Sequence, residues 1–159
     1  MNDALTISRA EENDLKIILA LQKKCYLSEA VIYNDYNIEP LMQTLDSLCE
    51  EYLKGTVFLK GLINEKIVAS VRGIIKEDTA YIGKLMVSAN YQNNQLGQLM
   101  MKAIENYFDR CKKYELFTGH KSEKNLYLYK KIGYTKFSKK IVNENLTLIF
   151  LRKENSNTG

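Results

Sequence analysis

The hydrophobic period of this chain changes at residue 96, and that change limits the folds open to it. Before it, residues 56–63, 67–75 and 80–88 have strand character; Ile67, Ala69, Val71, Gly73 and Ile75 alternate with other residues. The turns between them, at Asn64-Glu65 and Glu77-Asp78, are short, which implies antiparallel pairing. After it, Leu96, Leu99, Met100, Ala103, Ile104, Tyr107, Phe108 and Cys111 mark one face of a strong helix, and a further strand follows at 114–119. Strand, helix, strand over 80–119 is a right-handed crossover between parallel neighbours. The expected class is therefore α/β with mixed α+β character: a central, mostly antiparallel sheet with a parallel step, flanked by helices. A short strand at 4–8 and a helix over Glu11–Tyr26 precede this core. A tyrosine-bearing loop is expected at 27–38. A second helix should start at Pro40, bury Leu41, Leu45, Leu48, Cys49 and Tyr52, and end at Gly55. A short helix at 122–131 and strands near 134–142 and 146–152 complete one domain over 1–153, with a loose tail at 154–159.

Composition removes several chemistries. The single histidine, His120, excludes a multi-histidine metal site, and Cys25, Cys49 and Cys111 lie far apart without a C-x-x-C. No metal is expected. The cysteines fall on apolar helical faces, where a free thiol behaves as a small hydrophobe. The odd thiol count, the acidic start at Met1-Asn2-Asp3-Ala4 and the absence of a long apolar stretch predict a soluble cytoplasmic protein without membrane partners. The net charge of +4 is unevenly placed: residues 1–54 hold ten acids and five bases, whereas 110–140 hold ten bases and two acids. The basic half calls for an anionic partner.

The chemistry concentrates in Lys84–Leu99, where a strand ends, a polar loop turns and an amphipathic helix begins. Free N–H groups at such a helix start can hold a phosphate or pyrophosphate. Gln92, Val87, Tyr91 and Gly97 resemble the acyl-coenzyme A loop of the GNAT (GCN5-related N-acetyltransferase) family, whose pattern is Gln/Arg-x-x-Gly-x-Gly/Ala. Gln95 stands where that family usually has its first glycine, and Ala89 where proline is frequent. The segment Ser122–Tyr134 closely resembles a second family motif, N-x-x-x-Y-x-x-x-G-F/Y, through Asn125, Tyr129, Gly133 and Tyr134. Both motifs occur in family order, about thirty residues apart.

The resemblance implies a GNAT-like acyl-CoA N-acyltransferase fold and an acetyltransferase that uses acetyl-CoA as donor and a small-molecule or peptide amine as acceptor. It implies that main-chain groups of Leu85, Met86 and Val87 contact the pantetheine arm. It also implies that amides across Gln92, Asn93, Asn94, Gln95, Leu96, Gly97 and Gln98 hold the pyrophosphate, that Asn125 binds the arm and that Tyr129 is the general acid. Direct attack by an amine needs no enzyme nucleophile, which suits a chain lacking a Ser-His-Asp set. Gly83 is expected to mark an irregularity that opens the sheet. Candidate bases for the amine proton are Glu29, His120 and Glu123; Glu29 comes first because the loop after the first helix usually borders the acceptor in this fold. A homodimer is compatible with the resemblance. Two other readings stand beside it: a catalytically silent CoA-binding regulatory module, motivated by Gln95, and a nucleic-acid binder using the basic segment 110–140, which carries no nucleic-acid motif.

Overall fold

A computed structural model describes residues 4–92 and 95–156. Seven strands, β1 (Thr6–Arg9), β2 (Val57–Ile63), β3 (Lys66–Lys76), β4 (Thr79–Val87), β5 (Lys113–Gly119), β6 (Thr135–Ile141) and β7 (Thr147–Glu154), form one sheet in the order β1-β2-β3-β4-β5-β7-β6. Every neighbouring pair is antiparallel except β4 and β5, which run parallel. The helices are α1 (Leu15–Tyr33), α2 (Glu39–Met42), α3 (Leu45–Leu53), α4 (Leu96–Tyr107) and α5 (Glu123–Lys131).

The period change at residue 96 becomes the β4–α4–β5 crossover. The β2–β3 turn at Asn64-Glu65 has φ of 51° and 65°, the paired positive values of a tight hairpin turn. Alternation divides the strands between two cores. Val57, Leu59, Ala69 and Val71 pack with Met100, Met101 and Ile104 of α4 and with Phe108 just after it, while Phe58 and Met86 pack with Leu15, Ile18 and Leu48 of α1 and α3. Gly73 makes the α4 contact close: a Cβ there would stand 2.9 Å from the Phe108 ring.

Three sequence expectations change. The loop foreseen at 27–38 is helical as far as Tyr33, so Glu29 sits on α1 rather than in a loop. Leu27, Val31 and Ile32 face outward there and blur the helical period. The helix foreseen from Pro40 is two helices, with Gln43 extended between them (φ −60°, ψ 135°), and Thr44 caps α3 through its side chain, accepting from the Ser47 N–H. Of its five expected core residues only Leu48 is fully buried; Leu45 is exposed. Of the tail foreseen at 154–159, Glu154 belongs to β7 and Asn155 is buried, and residues 157–159 lie outside the described residues. The Asn155 Nδ2 donates to the carbonyls of Asp109 and Cys111, and its N–H donates to that of Lys112.

The parallel step is short. Only Thr79, Ala80 and Tyr81 pair with Lys113, Tyr114 and Glu115; beyond them β4 and β5 part. The irregularity lies one residue after Gly83: between the Arg72–Gly83 and Ser70–Met86 pairs, Lys84 and Leu85 together oppose Val71, and Lys84 takes φ 52°. A bulge of this kind bends its strand and re-aims the side chains beside it. It turns the end of β4 away from β5 and leaves a gap in the middle of the sheet.

Candidate active site

Two cavities occupy this gap and meet at Leu85 and Asn125, which line both. The first, of 590 Å³, lies between the start of α4 and the exposed side of α5. Gln95, the residue before α4, is left-handed (φ 62°, ψ 16°), and Leu96, Gly97 and Gln98 form the first helical turn at the cavity wall. Amides of that turn have no acceptor within the helix. Gly97 lets α4 approach α5, since a Cβ there would lie 3.3 Å from Leu128. Val87 and Gln92 also line this cavity, the Gln92 Nε2 donating to the Val87 carbonyl (3.1 Å). Lys124, Tyr127 and Lys131 of α5 close the other side. The sequence pointed to these lysines only through the general basicity of 110–140.

Not every predicted donor-site residue stands on this cavity. Met86 is buried against α1 and α3, and its main chain is registered with Ser70. The Val87 carbonyl already accepts from Gln92 and from the Cys25 thiol (3.4 Å). Leu85, of the three, is the one on both cavities. Asn93 and Asn94 lie outside the described residues.

The second cavity, a chamber of 740 Å³, is bounded by α1, α2, β4, β5 and β7. Tyr129 reaches it from α5 and is itself 6% exposed. The end of α5 fixes its main chain: Gly133 (φ 107°) lets the Tyr134 N–H bond back to the Tyr129 carbonyl at 2.9 Å. Its hydroxyl makes no hydrogen bond among the described residues. Burial, reinforced by the charge of Glu29, pushes this phenol well above its usual range, so it stays protonated at neutral pH. Tyr26 also lines the chamber and is pushed up by burial, with the nearness of Tyr129 adding to the effect.

Glu29 is held by two donors, Ser122 Oγ at 2.9 Å and Asn125 Nδ2 at 3.4 Å. Partial burial raises its carboxyl above the ordinary glutamate value, and the Ser122 bond offsets part of that. Ser122 and Tyr33 Oη are 2.8 Å apart, and the Tyr33 oxygen accepts the Lys121 N–H at 2.8 Å. Gly119 makes room for this phenol, because a Cβ at that position would fall 2.0 Å from Tyr33 Oη. Neither Ser122 nor Tyr33 carries a motif that singles it out in sequence. Asn125 also donates to Thr118 Oγ1 (3.3 Å) through the same Nδ2, which leaves its Oδ1 available to accept.

The other two candidate bases do not line the chamber, although the His120 ring packs 5.7 Å from that of Tyr33. His120 is exposed and ties the end of β5 to the start of β7, its Nδ1 facing the Thr147 main chain (3.0 Å to the N–H). Glu123 lines the first cavity, across from the chamber. Beneath the chamber, buried Arg72 donates through Nη2 to Gln22 Oε1 (2.5 Å) and Gln43 Oε1 (3.4 Å), and Nη1 has no partner among the described residues. Among the described residues no cluster of His, Cys, Asp or Glu fits a metal ion, and no helix is long and apolar enough to cross a membrane.

The split sheet, with a helix N-terminus beside the split, defines the acyl-CoA N-acyltransferase fold. The profile of the acetyltransferase (GNAT) family matches residues 16–134, and the chain belongs to that family. Solved structures agree in architecture at low identity. A PaiA N-acetyltransferase from Thermoplasma acidophilum, determined with coenzyme A, is 14% identical with a TM-score of 0.82, over 95% of this chain and 99% of its own. The ribosomal-protein-S18-alanine N-acetyltransferase from Escherichia coli is 15% identical with a TM-score of 0.81, over 98% and 97%. YncA from Salmonella typhimurium, a putative acetyltransferase determined with acetyl-CoA, is 17% identical with a TM-score of 0.74, over 96% and 95%. At these identities the likeness establishes the fold alone. No curated protein sequence matches the chain.

Proposed function

We propose that this chain is an N-acetyltransferase that moves the acetyl group of acetyl-CoA to a primary amine entering the 740 Å³ chamber. The observation that carries the reading is the meeting of the two cavities at Leu85 and Asn125, with the free Tyr129 hydroxyl and the Glu29 carboxylate on the chamber side. The first cavity suits the donor. Amides of the α4 turn together with Lys124 and Lys131 match phosphates, and Leu85, Val87 and Leu128 give apolar walls for an extended arm. The main chain of β4 beyond Tyr81, unpaired with β5, offers strand-like hydrogen bonds to that arm. Asn125 Oδ1 is placed to accept an amide N–H from it.

The donor supplies an acyl carbon that the neutral amine nitrogen attacks; a C–N bond forms and the C–S bond breaks. Glu29 takes the proton lost by the nitrogen, either directly or through water. The Leu85 N–H serves the carbonyl oxygen as charge builds there. Tyr129 donates its proton to the leaving sulfur and regains one from solvent. Its raised pKa makes full transfer uphill, so its contribution is greatest as a hydrogen-bond donor while the C–S bond breaks.

Calorimetric titration with acetyl-CoA and a thiol-release assay over a panel of amines test the reading. Acetyl-CoA binds and thiol is released only when an accepted amine is present. Tyr129→Phe leaves the acetyl-CoA Kd unchanged and lowers kcat by about a hundredfold, the scale of general-acid catalysis. An absence of acetyl-CoA binding at millimolar concentration would overturn the enzyme reading, and an unchanged kcat would remove Tyr129 from it.

A further inference from the structure

The chamber has two unlike walls. On the α1–α2 side stand Glu29 and Asp35, with Glu39 and Glu51 further along, and Glu115 faces them from β5. Three of these five carboxylates already have cations: Glu39 pairs with Lys84 (2.8 Å), Glu51 with Arg72 (3.8 Å) and Glu115 with Arg152 (3.0 Å). Asp35 accepts the N–H of Asn37 within its own turn. Glu29 alone combines partial burial, the absence of a cationic neighbour and proximity to Tyr129. Asp35 also has no cation among the described residues, but Glu29 is the carboxylate whose charge reaches Tyr129, so a positive charge is called for at the reactive end of the chamber.

The opposite wall is apolar. The α4–α5 side of β5 and β7 is covered, and on the other side the end of α1 reaches β5 at Gly119, through Tyr33, leaving Phe117 and Phe150 on the chamber wall. Phe117 and Phe150 stand side by side there as register partners, their rings 5.5 Å apart, and Leu148 lies opposite Gly119 in the same ladder. Phe117 is 53% exposed and Val142, further along the same wall, 48%. Aromatic surface left open beside a carboxylate in one chamber matches a molecule with an apolar body and an ammonium group.

From these two walls, and resting on the acetyltransferase reading above, we infer that the acceptor is a primary amine borne on an aromatic or branched apolar body, in preference to the wholly polar body of a polyamine or aminoglycoside. The body covers Phe117, Leu148 and Phe150 while the nitrogen lies between Glu29 and the Leu85–Asn125 junction. The basis is continuity with the reactive cleft and charge complementarity: the wall and the unneutralised carboxylate line the same cavity.

The test compares 2-phenylethylamine, hexylamine, spermidine and kanamycin as acceptors by initial rate of thiol release, with calorimetry of each amine into the protein–CoA complex as a second readout. Phenylethylamine is expected to have a kcat/KM at least ten times that of spermidine, on the order of one apolar contact in a specificity pocket. Phe117→Ala raises the phenylethylamine KM about tenfold, the value of one lost aromatic contact, and leaves the acetyl-CoA Kd unchanged. Phe117→Leu, which keeps apolar surface, restores most of the affinity. Three results overturn the inference: spermidine or kanamycin used or bound as well as phenylethylamine, a phenylethylamine KM insensitive to Phe117→Ala, or sedimentation showing a dimer that Phe117→Lys dissociates, which makes this wall an interface between copies. Each of these leaves acetyl-CoA binding intact, whereas loss of the acetyltransferase reading appears as failure to bind acetyl-CoA.

Discussion

At the scale of single residues, Glu29 holds stability and activity in opposition. Its carboxyl is raised by burial, so the folded state favours the protonated form more than the unfolded chain does. The stability it contributes is fully present below the unfolded glutamate value and is lost as pH rises through the higher folded value. At pH 7 the ionised side chain is therefore a cost to folding. Glu29→Gln should raise Tm at pH 7, and the gain should shrink as the pH falls through the folded value and vanish below the unfolded one, measured by thermal melts across pH. The same variant should lower kcat/KM and remove the acid limb of its pH profile, a limb that in the parent lies above the ordinary glutamate range. A Tm gain that persists unchanged at low pH would show that ionisation is not its origin. Gln95 carries a different tension. It occupies a left-handed conformation that costs a side-chain-bearing residue roughly 1 kcal/mol, and its side chain makes no hydrogen bond among the described residues. Gln95→Gly removes that cost but gives back about 0.5–1 kcal/mol through the freer unfolded chain, so Tm should change little. The acetyl-CoA Kd should tighten a few-fold as the α4 turn opens. A tenfold loosening would instead assign the Gln95 amide as a ligand donor.

At the scale of elements, the site depends on how α1 is seated against the β5–α5 turn. Tyr33 reaches over Gly119 to Lys121 and Ser122, and Ser122 in turn holds Glu29. Gly119→Ala places a methyl group on the Tyr33 oxygen and must unseat the phenol. The expected results are a loss of about 1–3 kcal/mol in denaturant unfolding from the broken buried bonds and a fall of at least about tenfold in kcat/KM as Glu29 loses its position. Tyr33→Phe should reproduce most of the kinetic loss, and wild-type kinetics in both variants would detach this seat from the site. The sequence carried the period change at 96, the two hairpin turns, the α4 start and the Asn125–Tyr129 helix, because each rests on local spacing. It could not carry the seat. The last two turns of α1 point Leu27, Val31 and Ile32 at solvent, so no apolar face announces a helix over the stretch that bears Glu29 and Tyr33. Ser122, Tyr33 and Arg72 acquire meaning only through partners 21 to 93 positions away. Asn155 was hidden in the same way, its anchors lying on the distant loop after α4.

For the molecule as a whole, the decisive feature is the brevity of the β4–β5 ladder, which ends at Tyr81 and Glu115. The two sides of the sheet are joined there by three residue pairs and by whatever packs across them, mainly α4 and α5 on one face. A donor lying along β4 would add the missing strand, and its binding energy would add to folding stability as RT ln(1 + [L]/Kd), about 2.7 kcal/mol at a hundredfold excess over Kd. For a domain of this size that corresponds to a rise of roughly 5–10 °C in Tm. Thermal melts against acetyl-CoA concentration should therefore climb logarithmically, and the amides of Ile82–Val87 should exchange with deuterium more slowly when it is present. A Tm that does not move would separate the gap from donor binding. If the donor does lie there, the consequence reaches past catalysis: a protein whose sheet is completed by its own substrate would survive thermal stress and proteolysis better as that substrate becomes more plentiful, and its abundance would become a record of the acetyl-donor pool.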